Sequence, residues 1–159
     1  MKKNWTIFLV TVVVVIALDQ GIKAVIINRL YLNEVIEVVP GLFNIVYYKN
    51  TGAAFGILRK ASAFKTLFFT LATGAAIVFI VIMVKRSRDA LLTISLSLIA
   101  GGAVGNLIDR LVSGSVTDFL DLYWGGYHWP AFNVADSAIT VGVVATILIF
   151  YLKNPDRPR

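Results

Sequence analysis

The chain has 159 residues, of which 58% are hydrophobic and only 15% charged, with a formal net charge of +6. With a mean hydropathy of +0.79, it has too little polar surface to fold as a soluble domain of this size. The absence of cysteine removes disulfides, thiolate metal sites and a thiol nucleophile. With His128 as the sole imidazole, no metal or other cofactor is expected. The excess of basic residues suits membrane phospholipids. No basic stripe with interleaved aromatics is present to suggest nucleic acid.

The apolar residues fall into four runs, each near the roughly 20 residues that a helix needs to cross about 30 Å of hydrocarbon. The expected fold is therefore an all-α membrane protein, a single polytopic domain over 1–159. Its spans are expected at about 5–26, 63–84, 90–109 and 134–152. Lys2 and Lys3 ahead of the first run imitate a secretory leader, but no small-residue cleavage site follows and apolar residues resume from Ile22 to Ile27. Trp5 suits an interface anchor. Asp19 and Lys23 sit one helical turn apart on one face, which reads first as a structural ion pair.

Between the first two spans, about 28–62, the character changes. Val35–Val39, the Pro40-Gly41 turn and Leu42–Tyr48 are β-branched and aromatic runs around a turn. They predict a small extracytoplasmic β platform. Asn50-Thr-Gly-Ala-Ala-Phe-Gly56 follows, small residues suited to close approach by another backbone. The second span returns to Lys85-Arg-Ser-Arg88. With Lys2, Lys3, Lys153, Arg157 and Arg159, that cluster places both termini in the cytoplasm, although Arg29, Lys49, Arg59 and Lys60 lie on the other side.

The third span carries Gly101 and Gly105, a small-xxx-small pair that lets a neighbouring helix approach, and ends in Asn106, Asp109 and Arg110. Arg110 could orient substrate, meet a lipid phosphate or pair with Asp109, although adjacent helical positions do not face each other. The external segment 111–133 holds Trp124, Tyr127 and Trp129, which predict an amphipathic or re-entrant loop or helix at the interface. His128 reads as a surface residue there, and Ser137 as a cap of the last helix.

Alternating helix direction should bring Asp19, Asn106, Asp109, Arg110, Asp118, Asn133 and Asp136 to one level near the outer leaflet. Ionisable residues gathered there point to function. Neither G-x-S-x-G nor H-E-x-x-H is present. Two carboxyls sharing a proton can hydrolyse a peptide unaided, one taking a proton from water while the other donates to the carbonyl oxygen. A small proton- or ion-coupled transporter is the alternative, and a non-catalytic scaffold a more distant one.

Five blocks occur in order: Asp19-Gln20 with Lys23, Asn50-Thr-Gly-Ala-Ala, Gly101-Gly-Ala-Val-Gly-Asn-Leu-Ile-Asp-Arg110, Val116-Thr-Asp-Phe119 and Phe132-Asn-Val-Ala-Asp-Ser137. In these the chain resembles the bacterial lipoprotein signal peptidases, a family of intramembrane aspartyl proteases. The resemblance implies a catalytic dyad of Asp118 and Asp136. Asp19, Lys23, Asn50, Gly52, Asn106, Asp109, Arg110, Asn133 and Ala135 would bind substrate or support the site. It implies diacylglyceryl-modified prolipoproteins as substrates, cut on the amino side of the lipidated cysteine at the inner membrane; separately, the chain is expected to act as a monomer.

Overall fold

The computed structural model describes residues 2–52 and 62–153. Ala53 and Ala54, Arg59 and Lys60, and the tail residues Arg157 and Arg159 lie outside the described residues. Four helices and four strands follow in the order α1 (Lys2–Arg29), β1 (Val35–Val39), β2 (Phe43–Asn50), α2 (Ser62–Arg86), α3 (Ala90–Ser113), β3 (Val116–Trp124), β4 (Tyr127–His128) and α4 (Val134–Leu152). Each of the four helices is long and apolar enough to cross a membrane.

Helix α3 is the central post, packing against α1, α4 and α2. It can do so because its contact faces are small. A methyl group added at Gly101 would meet Val15 of α1 at 2.8 Å, and one added at Gly142 of α4 would meet the Ser95 carbonyl at 2.6 Å. Three hydroxyls on α3 are buried with their donors returned to their own helix: Thr93 Oγ1 to Asp89 O, Ser95 Oγ to Leu91 O and Ser97 Oγ to Thr93 O. No polar group is stranded there. At the end away from the strands, Phe8, Ile80, Val84, Leu96 and Ala100 form the apolar core of α1, α2 and α3. The same end is tied by Asn4 Nδ2 donating to Ser87 O at 3.0 Å, and by a Lys153–Asp89 ion pair at the α3 N-cap.

The strands form one antiparallel sheet in the order β1-β2-β3-β4. The segment expected to be an interfacial loop or helix, 111–133, instead supplies half of this sheet. Two forces favour the strand. Gly125 and Gly126 both have positive φ (54° and 87°), which suits a two-residue hairpin turn between Trp124 and Tyr127. The free edge of β2 also needs a partner for its backbone groups, and β3 pairs along it from Phe43↔Leu122 to Asn50↔Val116. On its other edge β3 holds the returning chain: Leu120 N and Phe132 N each donate to the other's carbonyl, at 2.9 and 3.0 Å, and Trp129 N donates to Leu122 O at 2.8 Å. The start of α4 is thereby fixed to β3.

Candidate active site

The sheet and the helix ends meet at a cluster of polar side chains. Asp118, on β3, is 2% exposed. It faces Tyr48 across the β2–β3 ladder, and Asn50, two residues on along the same face, donates from Nδ2 to Asp118 Oδ2 at 3.0 Å. Asn50 Oδ1 accepts the Gly52 N–H at 2.8 Å, so its amide is held at both ends.

Asp136 enters from the first turn of α4, where Asn133 is the N-cap in a reciprocal capping box. Asn133 Oδ1 accepts the Asp136 N–H at 2.9 Å, and Asp136 Oδ2 accepts the Asn133 N–H at 3.3 Å. Ser137, expected to cap this helix, lies inside it and donates from Oγ to Asn133 O at 2.9 Å. Asn133 caps instead because it is the last extended residue before the helix, at φ −136° and ψ −176°.

Asn133 also joins the two acids. With its oxygen turned to the helix, its Nδ2 donates to Asp118 Oδ1 at 2.8 Å and to Asn106 Oδ1 at 3.2 Å. Asn106 Nδ2 donates to Asp136 Oδ1 at 2.7 Å. Asn133 thus donates to both carboxyls, from its side chain to Asp118 and from its backbone to Asp136. Burial pushes the Asp118 carboxyl up to about 6; the Asn50 and Asn133 donors oppose that shift, while the Asp136 charge adds to it.

Behind this pair lies an ion cluster. Lys23 Nζ stands 2.7 Å from Asp19 Oδ2 and 3.0 Å from Asp109 Oδ2, and donates to Asn106 Oδ1 at 3.1 Å. Asp109, which the sequence offered as one of three partners for Arg110, pairs with this lysine instead. Ala135, fully buried, donates its N–H to Asp19 Oδ1 at 2.9 Å. Arg110 Nη1 donates to Asn106 O at 3.2 Å, and its guanidinium sits 4.3 Å from the centroid of the Phe69 ring.

The structure brings the expected dyad, Asp118 and Asp136, into one contact network with Asp19, Lys23, Asn50, Asn106, Asp109, Arg110, Asn133 and Ala135, and Gly52 joins it through Asn50. It adds three that were not assigned roles. Gln20 donates to Asp109 Oδ1 at 2.9 Å and to Gly105 O at 3.1 Å; its place beside Asp19 was visible, its contacts with the third span were not. Thr117 donates its N–H to Asp109 Oδ2 at 2.9 Å. Phe69, an apolar residue in an apolar helix, left no sequence signal. His128 is half exposed, as a surface residue should be, but its Nδ1 lies 2.9 Å from the buried Asp121 carboxylate and its ring stacks on Tyr123 at 4.9 Å.

Two clefts flank the pair. An apolar one of about 360 Å³, lined by Leu122, Trp129, Phe132, Ser137, Thr140 and Val141, reaches Asp136. A more polar one of about 630 Å³, lined by residues including Tyr48, Lys49, Asn50 and Gly52, reaches Asp118.

This architecture is shared with solved enzymes. A bacterial membrane enzyme determined by the in meso method at 2.3 Å resolution superposes with a TM-score of 0.81 at 32% identity, covering 96% of this chain and 94% of that one. A second, at 1.9 Å, gives 0.82 at 35% identity, over 92% and 93%. The class is that of a polytopic bacterial membrane enzyme. Within it, residues 11–152 match the family model for signal peptidase (SPase) II, and the chain belongs to that family of aspartic peptidases. It is 42% identical to the lipoprotein signal peptidase of Syntrophus aciditrophicus, covering 99% of both chains. It is 49% identical to that of Geobacter metallireducens, over 93% of this chain and 92% of that one. Membership of the family sets aside the transporter and scaffold readings.

Proposed function

We propose that Asp118 and Asp136 are the catalytic dyad of this peptidase, and that its substrates are lipoprotein precursors carrying diacylglycerol on the cysteine that follows the cut. The observation that carries this reading is the pairing itself: two carboxyls from different elements, held by one shared asparagine, between an apolar and a polar cleft. Hydrolysis by such a pair needs one carboxyl protonated and one ionised, and burial together with the Asp136 charge favours the proton on Asp118. The ionised carboxyl takes a proton from water as the oxygen attacks the scissile carbonyl, and the neutral one donates its proton to the carbonyl oxygen. Collapse of the tetrahedral intermediate returns that proton to the pair and delivers the other to the leaving amine. The dyad then stands as it began.

The lipid anchor gives the site its register. Acyl chains lying in the apolar cleft beside Asp136 would fix the depth of a bond they do not touch, so that remote binding energy orients the reacting atoms. The polar cleft at Asp118 would take the chain on the other side of the bond. The basic residues Lys85 and Arg86 in the last turn of α2, and Arg88 between α2 and α3, lie at the end opposite the sheet. Together they favour a topology with both termini in the cytoplasm and the dyad at the outer leaflet. We read the whole chain as one domain acting as a monomer, since both acids and all their partners come from one copy.

The test uses the full-length protein in liposomes with a precursor in two forms, with and without diacylglycerol on its cysteine, and identifies the products by mass spectrometry. The expected result is cleavage of the modified form alone, immediately before the lipidated cysteine. Equal cleavage of the unmodified precursor, or a cut elsewhere, refutes the substrate assignment.

A further inference from the structure

The ion cluster behind the dyad is more than one ion pair. Lys23 is 1% exposed and Asp19 is fully buried. A lysine ammonium has three donors and no acceptor, and here all three are directed: at Asp19 Oδ2 (2.7 Å), Asp109 Oδ2 (3.0 Å) and Asn106 Oδ1 (3.1 Å).

Each of the three arms ends at the dyad. Asp19 Oδ1 accepts the N–H of Ala135, the residue before Asp136, at 2.9 Å. Asp109 Oδ2 accepts the N–H of Thr117, the residue before Asp118, at 2.9 Å. The backbone immediately before each dyad residue is therefore held by one of two carboxylates that share one ammonium. The third arm works on a side chain. Lysine can only donate, so it must face the oxygen of the Asn106 amide, which leaves the NH2 of Asn106 turned toward Asp136 Oδ1 at 2.7 Å. Gln20 braces the cluster from α1, donating to Asp19 Oδ2 at 3.1 Å and Asp109 Oδ1 at 2.9 Å.

We propose that Lys23 is a positioning residue for peptide hydrolysis: its ammonium sets the orientation of the Asn106 amide and, through Asp19 and Asp109, the backbone seats of Asp136 and Asp118. This rests on the dyad reading above. A buried ammonium needs all three of its protons accepted whatever its role; what marks this one is that each acceptor goes on to a group beside the dyad. The other charged groups around the cluster are Arg110 on α3, Asp118 on β3 and Asp136 on α4. Because Arg110 is occupied by Asn106 O and the Phe69 ring, it is not placed to take over the lysine's role.

The experiment measures kcat and KM per folded molecule for cleavage of a lipid-modified precursor in liposomes, with thermal midpoints alongside. Lys23→Met is expected to keep KM and lose about 100-fold in kcat, the scale of a misplacement of about 1 Å at reacting groups. That variant leaves two buried carboxylates without a counter-charge and could fail to fold. A second variant, Lys23→Met with Asp19→Asn and Asp109→Asn, carries no unpaired charge and keeps the oxygens that accept from Ala135 and Thr117. It removes the ammonium that orients Asn106, and with the Gln20 amide turned so that its oxygen faces the two new NH2 groups it should fold and show the same loss in kcat with KM kept.

Wild-type kcat in the triple variant, or in folded Lys23→Met, overturns the proposal. So does a lowered midpoint with kcat per folded molecule unchanged, which is the result for a purely structural lysine. Asp136→Asn is run alongside: if it cleaves at the wild-type rate, the dyad reading fails and not the role of Lys23.

Discussion

Replacing Gly102 by alanine puts a methyl carbon 2.3 Å from the carbonyl oxygen of Ala135 and 2.8 Å from Ile139 Cγ1. Ordinary van der Waals contact begins at 3.4 Å, so the first turn of α4 must move away from α3 by about 1 Å. A backbone carbonyl within a helix cannot rotate aside as a side chain could. That turn carries Asp136, whose 2.7 Å bond from Asn106 on α3 is the contact that a 1 Å separation breaks. Overpacking of this kind costs about 1–3 kcal/mol in stability, and a 1 Å displacement of a reacting group costs about 100-fold in rate. The expected result for Gly102→Ala is a lower thermal midpoint together with a fall of about 100-fold in kcat per folded molecule. Gly21→Ala makes the same chemical change on α1, where nothing lies within 4 Å. It should leave kcat unchanged and stabilise the helix by up to about 1 kcal/mol. Wild-type kcat in folded Gly102→Ala would refute the link between α3–α4 contact and the seat of Asp136.

Three further outcomes are expected. The folded-state Asp118 carboxyl is pushed up to about 6, above the ordinary 3.8, so the native state binds more protons between those values. Its stabilising contribution is full below pH 4 and is lost as pH rises through about 6. The thermal midpoint of Asp118→Asn, which cannot ionise, should therefore gain on wild type between pH 4 and 7, and a constant difference would contradict the assignment. Phe69→Leu removes the ring beneath Arg110, worth about 0.5–2 kcal/mol, and should lower kcat/KM by roughly twofold to thirtyfold; an unchanged value would mean that the ring does not seat the guanidinium. Asp89→Ala removes the α3 N-cap, which accepts from Leu91 N at 3.0 Å, and the partner of Lys153. It should cost about 1 kcal/mol in stability and leave kcat per folded molecule unchanged, because it acts at the end of the bundle remote from the dyad.

The helices were legible because length and hydropathy alone decide whether a segment suits hydrocarbon, and β1 and β2 because β-branched residues flank a Pro-Gly turn. The segment 111–133 was read through its aromatics. Trp124, Tyr127 and Trp129 suggested an interfacial element, while Gly125-Gly126 between two of them was the hairpin signal that the structure follows. A sheet edge waiting for a partner is a non-local fact, and sequence spacing does not carry it. The same holds at the site. Asp19 and Lys23 were legible as a pair one turn apart, but the second carboxylate, Asp109, lies on a different helix and nothing local couples it to Lys23. His128 is paired with Asp121 across the hairpin, a contact that exists only once the turn has formed. Phe69 was invisible because an aromatic in an apolar span looks the same whether it meets lipid or a guanidinium.

The account turns on Asp118 and Asp136 acting as one unit, and the most direct measurement is kcat for wild type, Asp118→Asn, Asp136→Asn and the double variant on a lipid-modified precursor in liposomes, each shown to be folded. Asparagine keeps size and hydrogen bonding while removing the titrating carboxyl. The account predicts that each single variant loses at least about 10²–10⁴-fold, the scale of general acid–base catalysis, and that the double variant is no worse than either, because groups that act together do not contribute additively. A single variant that cleaves at the wild-type rate, or a double variant whose loss is the product of the two, would contradict it.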